Sequence, residues 1–312
     1  MRNESLLILS VIGSVLTCAS LAGFFLRSLV REQATVGVIE NLNTRIKAWW
    51  WIVLIFGGAV LAGRAAVIVL FAVISFIALR EFLTLTAIRA VDRPAVIVSF
   101  LVVLPLQYAL VGLGRYDWFV GFLPIYSVLL GPILTALAGD SRNYLARTAE
   151  LLWGMAICVY GPSHVPALLA LPIAGYRGRQ MFLIVFLLLV SQTSDVLQYV
   201  WGKLAGRHKV APKISPSKTI EGLIGGIACA TVLGAGLWWM TPFTVVQAGT
   251  MALLIALTGF LGGLVMSAIK RDRGVKDWSQ FIPGHGGMLD RVDSICFSAP
   301  IFFHLTRTFF AS

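Results

Sequence analysis

Apolar stretches recur along nearly the whole chain, each ended by a short polar break. A helix needs about 20 apolar residues to cross a hydrocarbon core of about 30 Å. Ten windows are candidates: 6–26, 48–62, 65–85, 94–113, 118–138, 151–174, 181–201, 219–240, 246–269 and 292–310. The second is short and is parted from the third only by Gly63 and Arg64. Joined at about 1.5 Å per residue the two would far exceed the core, so a helical hairpin is expected there. The pattern predicts an all-α, polytopic integral membrane protein with about ten transmembrane helices. No repeat with a period of about 20 to 50 residues and no low-complexity linker interrupts it, which leaves one membrane domain in three regions. Residues 1–47 form an extra N-terminal transmembrane helix and a loop, 48–180 the N-terminal membrane helices, and 181–312 a membrane region with two polar motif loops.

Only 12% of the 312 residues are charged and 58% are hydrophobic, whereas an ordinary soluble domain is roughly 25% charged, so a soluble globular protein is excluded. Arg2 is offset by Glu4, and residue 26 is followed by Arg27 and Arg31 instead of a small-residue cleavage site. The first segment is therefore read as an uncleaved anchor. Lys and Arg number 25 against 14 Asp and Glu, a net charge of +11, which makes lipid headgroups and phosphorylated ligands the natural partners. Cys18, Cys158, Cys229 and Cys296 lie in apolar runs and read as buried small hydrophobes. With the connection 202–218 placed in the cytoplasm, alternation leaves Arg2, Arg64, Arg115, Arg177, Arg179 and Arg307 outside and the other 19 basic residues inside.

Acidic residues are scarce, and six of them, Asp195, Glu221, Asp272, Asp277, Asp290 and Asp293, fall in the last two fifths of the chain. Asp195 shares a helix face with Ser191, Gln192, Gln198 and Tyr199 inside an otherwise apolar run. Hydrogen-bonded helix packing could explain such a stripe. A carboxylate at depth costs about 2.5–3.5 kcal/mol, however, which favours a ligand or metal contact. In the first loop, Ser215, Pro216, Ser217, Lys218 and Thr219 precede a helix start at Glu221 and Gly222. This is a place for a phosphate, although bare helix capping would look the same. The second loop is more specific. Lys270, Arg271, Lys276 and Asp277 lead into Pro283, Gly284, His285, Gly286 and Gly287, and then into Asp290, Arg291 and Asp293. Glycines around one histidine let backbone amides approach a ligand. Asp290 and Asp293, three apart, share a face where two carboxylates could hold Mg²⁺ with phosphate oxygens completing its shell. His164, His208 and His304 lack such company.

From Ser267 to Asp293 this string resembles the signature of the phosphatidate cytidylyltransferases, also called CDP-diacylglycerol synthases. Asp195, Tyr199, Gly202, Lys203 and the 215–222 segment look like the same family. The resemblance is close over about the last 130 residues and implies cytidylyl transfer from CTP to phosphatidate, yielding CDP-diacylglycerol and pyrophosphate. It implies Mg²⁺ as cofactor, with a monovalent cation beside it, and a homodimer in the bacterial inner membrane. CTP and phosphatidate or a related anionic lipid are the expected partners, with no nucleic acid, and the active site faces the cytoplasm. Carried onto this chain, the catalytic residues are Asp195, Lys270, Arg271, Lys276, Asp277, His285 and Arg291. Substrate falls to Ser215, Pro216, Lys218, Thr219, Glu221, Gly284, Gly286 and Gly287, and metal to Asp290 and Asp293. The chain departs from the family at Gly263, where an aspartate is counted among the metal ligands. A CTP-dependent enzyme acting on another lipid phosphate or on a lipid alcohol, or a catalytically weak paralogue, shares these features. A transporter fits less well, because the polar residues gather at one membrane face.

The asymmetry of basic residues makes topology measurable. Reporter fusions after Lys218 and after Asp277 are expected to report the cytoplasm, and one at Ser312 the opposite side. A cytoplasmic C-terminus would contradict the count of ten spans.

Overall fold

The computed structural model describes residues 50–311 except Ala87 and 283–285, together with the isolated positions Thr17, Ser20 and Lys47. The predicted segment 6–26 lies outside them apart from Thr17 and Ser20. The other nine predicted segments are all helical: α1 (Trp50–Ala62), α2 (Arg64–Thr84), α3 (Ala90–Leu113), α4 (Tyr116–Leu137), α5 (Tyr144–Ala170), α6 (Met181–Leu204), α7 (Ile220–Gly236), α8 (Val245–Asp272) and α9 (Leu289–Phe310). Among the described residues six of these, α2 to α6 and α8, are long and apolar enough to cross a membrane. The chain is thus an all-α integral membrane protein, and the count of ten spans goes beyond what these helices support individually. At 17 residues α7 is only ~26 Å long, and the first turns of α9 carry Asp290, Arg291 and Asp293.

Helices α1 and α2 are separated at Gly63, where the hairpin was expected, and the φ of 100° there belongs to the left-handed region that favours glycine. The helices α3, α4 and α5 each contain a wide π turn, at Ser99–Val103, Phe122–Ser127 and Ala156–Tyr160. Each turn contains a proline or ends two residues before one, Pro105, Pro124 or Pro162. Such a turn accommodates a ring that would otherwise strike the carbonyl four residues back.

The C-terminal helices α6 to α9 pack as a bundle, with α2 and α5 against α9. Close approach depends on small residues. A Cβ on Gly226 would come within 2.7 Å of the Gln198 backbone nitrogen on α6, and one on Gly262 would enter the Phe297 ring of α9. In lipid, helices associate largely through such packing.

One element departs from the expected loops. Residues Lys209–Ala211 (β1) and Ser215–Thr219 (β2) pair as an antiparallel hairpin, with Lys209 opposite Thr219 and Ala211 opposite Ser215. The helix begins at Ile220, and Thr219 is its cap, accepting from Gly222 N at 3.1 Å. The polar ends of the N-terminal helices are tied by a buried ion cluster. There the Arg147 guanidinium lies 3.1 Å from Asp92 and 3.4 Å from Asp140, and Arg89 pairs with Asp140 at 2.6 Å.

Gly226→Ala should force α6 and α7 apart and destabilise the bundle by about 1–3 kcal/mol, the range for overpacking. Thermal melts of the full chain in detergent measure it; an unchanged melting temperature would mean that the two helices separate freely.

Candidate active site

At the polar end of the α6–α9 bundle lies a cavity of about 940 Å³. Helix α6 lines it with Gln192, Asp195, Gln198 and Tyr199, β2 with Ser217, Lys218 and Thr219, and α8 with Phe260 and Gly263. The loop after α8 adds Lys276, Asp277, Gln280 and Gly286, and the first turns of α9 add Asp290, Arg291, Asp293 and Ser294. Two motif regions far apart in sequence therefore converge on one space, because α7 and α8 leave the first loop and return to the second.

Ser294 joins the two nearest carboxylates. Its hydroxyl donates to Asp195 Oδ2 at 2.9 Å and its backbone N–H to Asp293 Oδ1 at 2.8 Å. The Ser191 hydroxyl donates to Ser294 Oγ from behind at 3.2 Å. Among the described residues the second oxygen of each carboxylate accepts no hydrogen bond. Lys218 Nζ donates to the Phe260 carbonyl at 3.3 Å and lies 4.6 Å from the centre of the Phe260 ring. Burial pulls the Lys218 pKa below the ordinary lysine value, while Asp293 and Asp195 act in the opposite direction. A Cβ on Gly263 would stand 2.8 Å from this ammonium and 3.7 Å from Asp293 Oδ2. The lysine tip thus fills the space that a larger side chain at 263 would claim. Arg291 also faces the cavity, and its Nε is buried with no hydrogen-bond partner. Lys276 and Asp277 are exposed at the rim.

Asp290 is placed differently. Its Oδ1 accepts from Lys270 Nζ at 2.6 Å, and its Oδ2 accepts from the backbone N–H groups of Trp278 and Gly287, each at 2.9 Å. Both oxygens are engaged in shaping the loop. Other expected residues also brace the site from outside the cavity. Arg271 donates to the carbonyls of Ile214 and Val275. Glu221 closes the hairpin, accepting from Arg207 N at 3.0 Å and contacting His208 Nδ1 at 2.6 Å. Ser215 is buried in β2, Pro216 is exposed, and neither lines the cavity. Gly287 also lies outside its lining, and Gly284 and His285 lie outside the described residues.

One residue went unforeseen. Glu81 on α2, 7% exposed, reaches the same loop from the other half of the chain. The available signal was its isolation, a carboxylate within an apolar run of membrane-helix length, which is costly without partners.

The arrangement sets three cations, Lys218, Lys276 and Arg291, around carboxylates in a cleft at the end of a membrane bundle. That is the layout of a membrane enzyme working on phosphorylated substrates, where catalysis is positioning and charge neutralisation. Sequence comparison agrees: residues 43–309 match the family model described as "Cytidylyltransferase family". The chain is 39% identical over 270 residues to "Uncharacterized protein YnbB" of Escherichia coli (strain K12), covering 86% of this chain and 88% of the relative. It is 29% identical over 252 residues to a "Phosphatidate cytidylyltransferase" of Staphylococcus aureus (strain COL), covering 79% and 92%. A protein of the same name from Staphylococcus saprophyticus is 30% identical over 248 residues, covering 78% and 90%. The chain belongs to the cytidylyltransferase family and is a nucleotidyltransferase.

Asp290 and Asp293 should therefore fail in different ways. Asp290→Asn turns one accepting oxygen into a donor facing Lys270 or two N–H groups, so it should lower the melting temperature as well as activity. Asp293→Asn should leave the melt near wild type and remove most turnover. Equal melts for the two variants would contradict the division into loop anchor and reactive carboxylate.

Proposed function

We propose that this enzyme transfers the cytidylyl group of CTP to phosphatidate at the cytoplasmic face of the bacterial inner membrane. The observation that carries this reading is the convergence of Asp195, Asp293, Lys218 and Arg291 on one cavity at the polar end of the bundle. The matched family and the named activity of the staphylococcal relatives support it. In the reaction a phosphate oxygen of the lipid attacks the α-phosphorus of CTP. A new P–O bond forms, the bond to the β-phosphate breaks, and pyrophosphate leaves. The attacking oxygen is already anionic, so no protein group need accept a proton. Lys218, Lys276 and Arg291 hold the phosphates and offset the charge that builds between two polyanions. The Ser294 hydroxyl fixes Asp195 so that its free oxygen faces the cavity.

The donor set suits Mg²⁺, which typically takes one or two carboxylates and completes its shell with phosphate oxygens and water. Asp195 and Asp293 would hold it through their unbonded oxygens, whereas Asp290 has none to give. When bound, the ion would supply Lewis-acid neutralisation of phosphate charge.

Purified full-length protein given base-labelled CTP, Mg²⁺ and phosphatidate should form CDP-lipid and pyrophosphate in equal amounts. Transfer of a γ-label to lipid would identify a kinase and refute the assignment. Gly263→Asp adds a carboxylate beside Lys218 and Asp293, and only the flexible lysine tip must move to admit it. This variant should reach half-maximal rate at several-fold lower Mg²⁺, since divalent affinity rises with ligand charge. An unchanged Mg²⁺ requirement with an unchanged melt would show that position 263 does not face the ion.

A further inference from the structure

The described residues between α8 and α9, 274–282 and 286–288, wall the cavity in part and have two carboxylate anchors. Asp290 is one, and it belongs to the signature string. The other is Glu81, which lies about 200 residues earlier on α2 and is not among the residues that line the cavity. Its Oε1 accepts from the Ser279 hydroxyl at 2.7 Å and from Met288 N at 2.9 Å, and its Oε2 accepts from Leu289 N at 2.8 Å. Met288 and Leu289 stand at the start of α9, so this carboxylate caps the helix that carries Asp290, Arg291 and Asp293. A helix start leaves several N–H groups without intrahelical partners, and a negative group there is favoured by the helix dipole. The Ser279 hydroxyl in turn accepts from Phe281 N at 3.1 Å, which extends the hold into the segment that presents Gln280.

Two further contacts centre on this point. A Cβ on Gly287 would lie 2.6 Å from Glu81 Oε2, so the absence of a side chain there is what lets the carboxylate reach the backbone. The neighbouring Phe82 stacks on Trp278, with ring centroids 5.4 Å apart. A second strut, Arg273 to Glu150 at 2.6 Å, ties the end of α8 to α5. The N-terminal helices thus hold the loop by defined polar contacts in addition to apolar packing.

We propose that Glu81 is a positioning residue for the reaction. By capping α9 and holding Ser279, it sets the loop residues Lys276 and Gln280 and the α9 residues Arg291 and Asp293 in register, without touching substrate.

Hydrogen exchange on the full-length protein in detergent tests the structural half without any substrate. Turnover tests the other half and rests on the cytidylyl-transfer reading. In Glu81→Ala, exchange should accelerate in peptides spanning 278–289 while α2 and α3 keep wild-type protection. With CTP and phosphatidate, kcat should fall roughly 10- to 100-fold, the scale for groups that orient a reacting constellation from behind. Glu81→Gln keeps one accepting oxygen and should lie between Glu81→Ala and wild type in both readouts. Ser279→Ala should give a smaller loss. Combined with Glu81→Ala it should add nothing further, because the hydroxyl acts through the same carboxylate. Should Glu81→Ala not fold, Glu81→Gln and Ser279→Ala carry the same comparison. Unchanged exchange at 278–289, loosening spread over α2, or fully additive losses would each overturn the proposal. Altered exchange at 278–289 in a protein inert toward CTP and phosphatidate would leave the positioning contact standing and reject the substrate assignment instead.

Discussion

The structure depends on the cost of an ionised group in apolar surroundings. A carboxylate or ammonium at the end of a membrane bundle must be paired, hydrogen-bonded or open to a polar cavity. Asp290 satisfies the first two conditions through Lys270 and two backbone amides, and Glu81 satisfies the second through a hydroxyl and two amides. These two acids hold Trp278, Ser279 and Gly287 to Leu289 against the helices. Asp195, Asp293, Lys218 and Arg291 keep unsatisfied valence toward the cavity, which is what makes them available to a ligand. Charges with closed shells build the site, and charges with open ones face it.

The apolar windows gave the helices because a bilayer demands one simple thing of a spanning segment. They located nine helices among the described residues, with boundary errors of known origin. Helix α5 begins at Tyr144, seven residues before its apolar window, because Arg147 is buried in the ion cluster with Asp92 and Asp140. Hydropathy counts such an arginine as an end, whereas its partners make it an interior residue. The β1–β2 hairpin was not legible. Its strands are three and five residues long, and it closes through Glu221 and His208, a contact that propensity does not encode. The site was legible as two strings of residues but not as roles. Spacing puts Asp290 and Asp293 on one helix face, yet only the fold shows that the first carboxylate turns to the loop. Glu81 was hidden by separation along the chain.

Position 263 shows how one substitution redistributes charge. With glycine there, the Lys218 ammonium occupies the space beside Asp293. The cavity lining then carries Lys218, Lys276 and Arg291 against Asp195, Asp277, Asp290 and Asp293. Asp290 and Lys270 cancel one another nearby. A further carboxylate at 263 would stand beside Lys218 and shift the cavity toward negative charge. The glycine thus leaves room for the Lys218 ammonium beside Asp293, while Ser294 bonds both Asp195 and Asp293 from the other side.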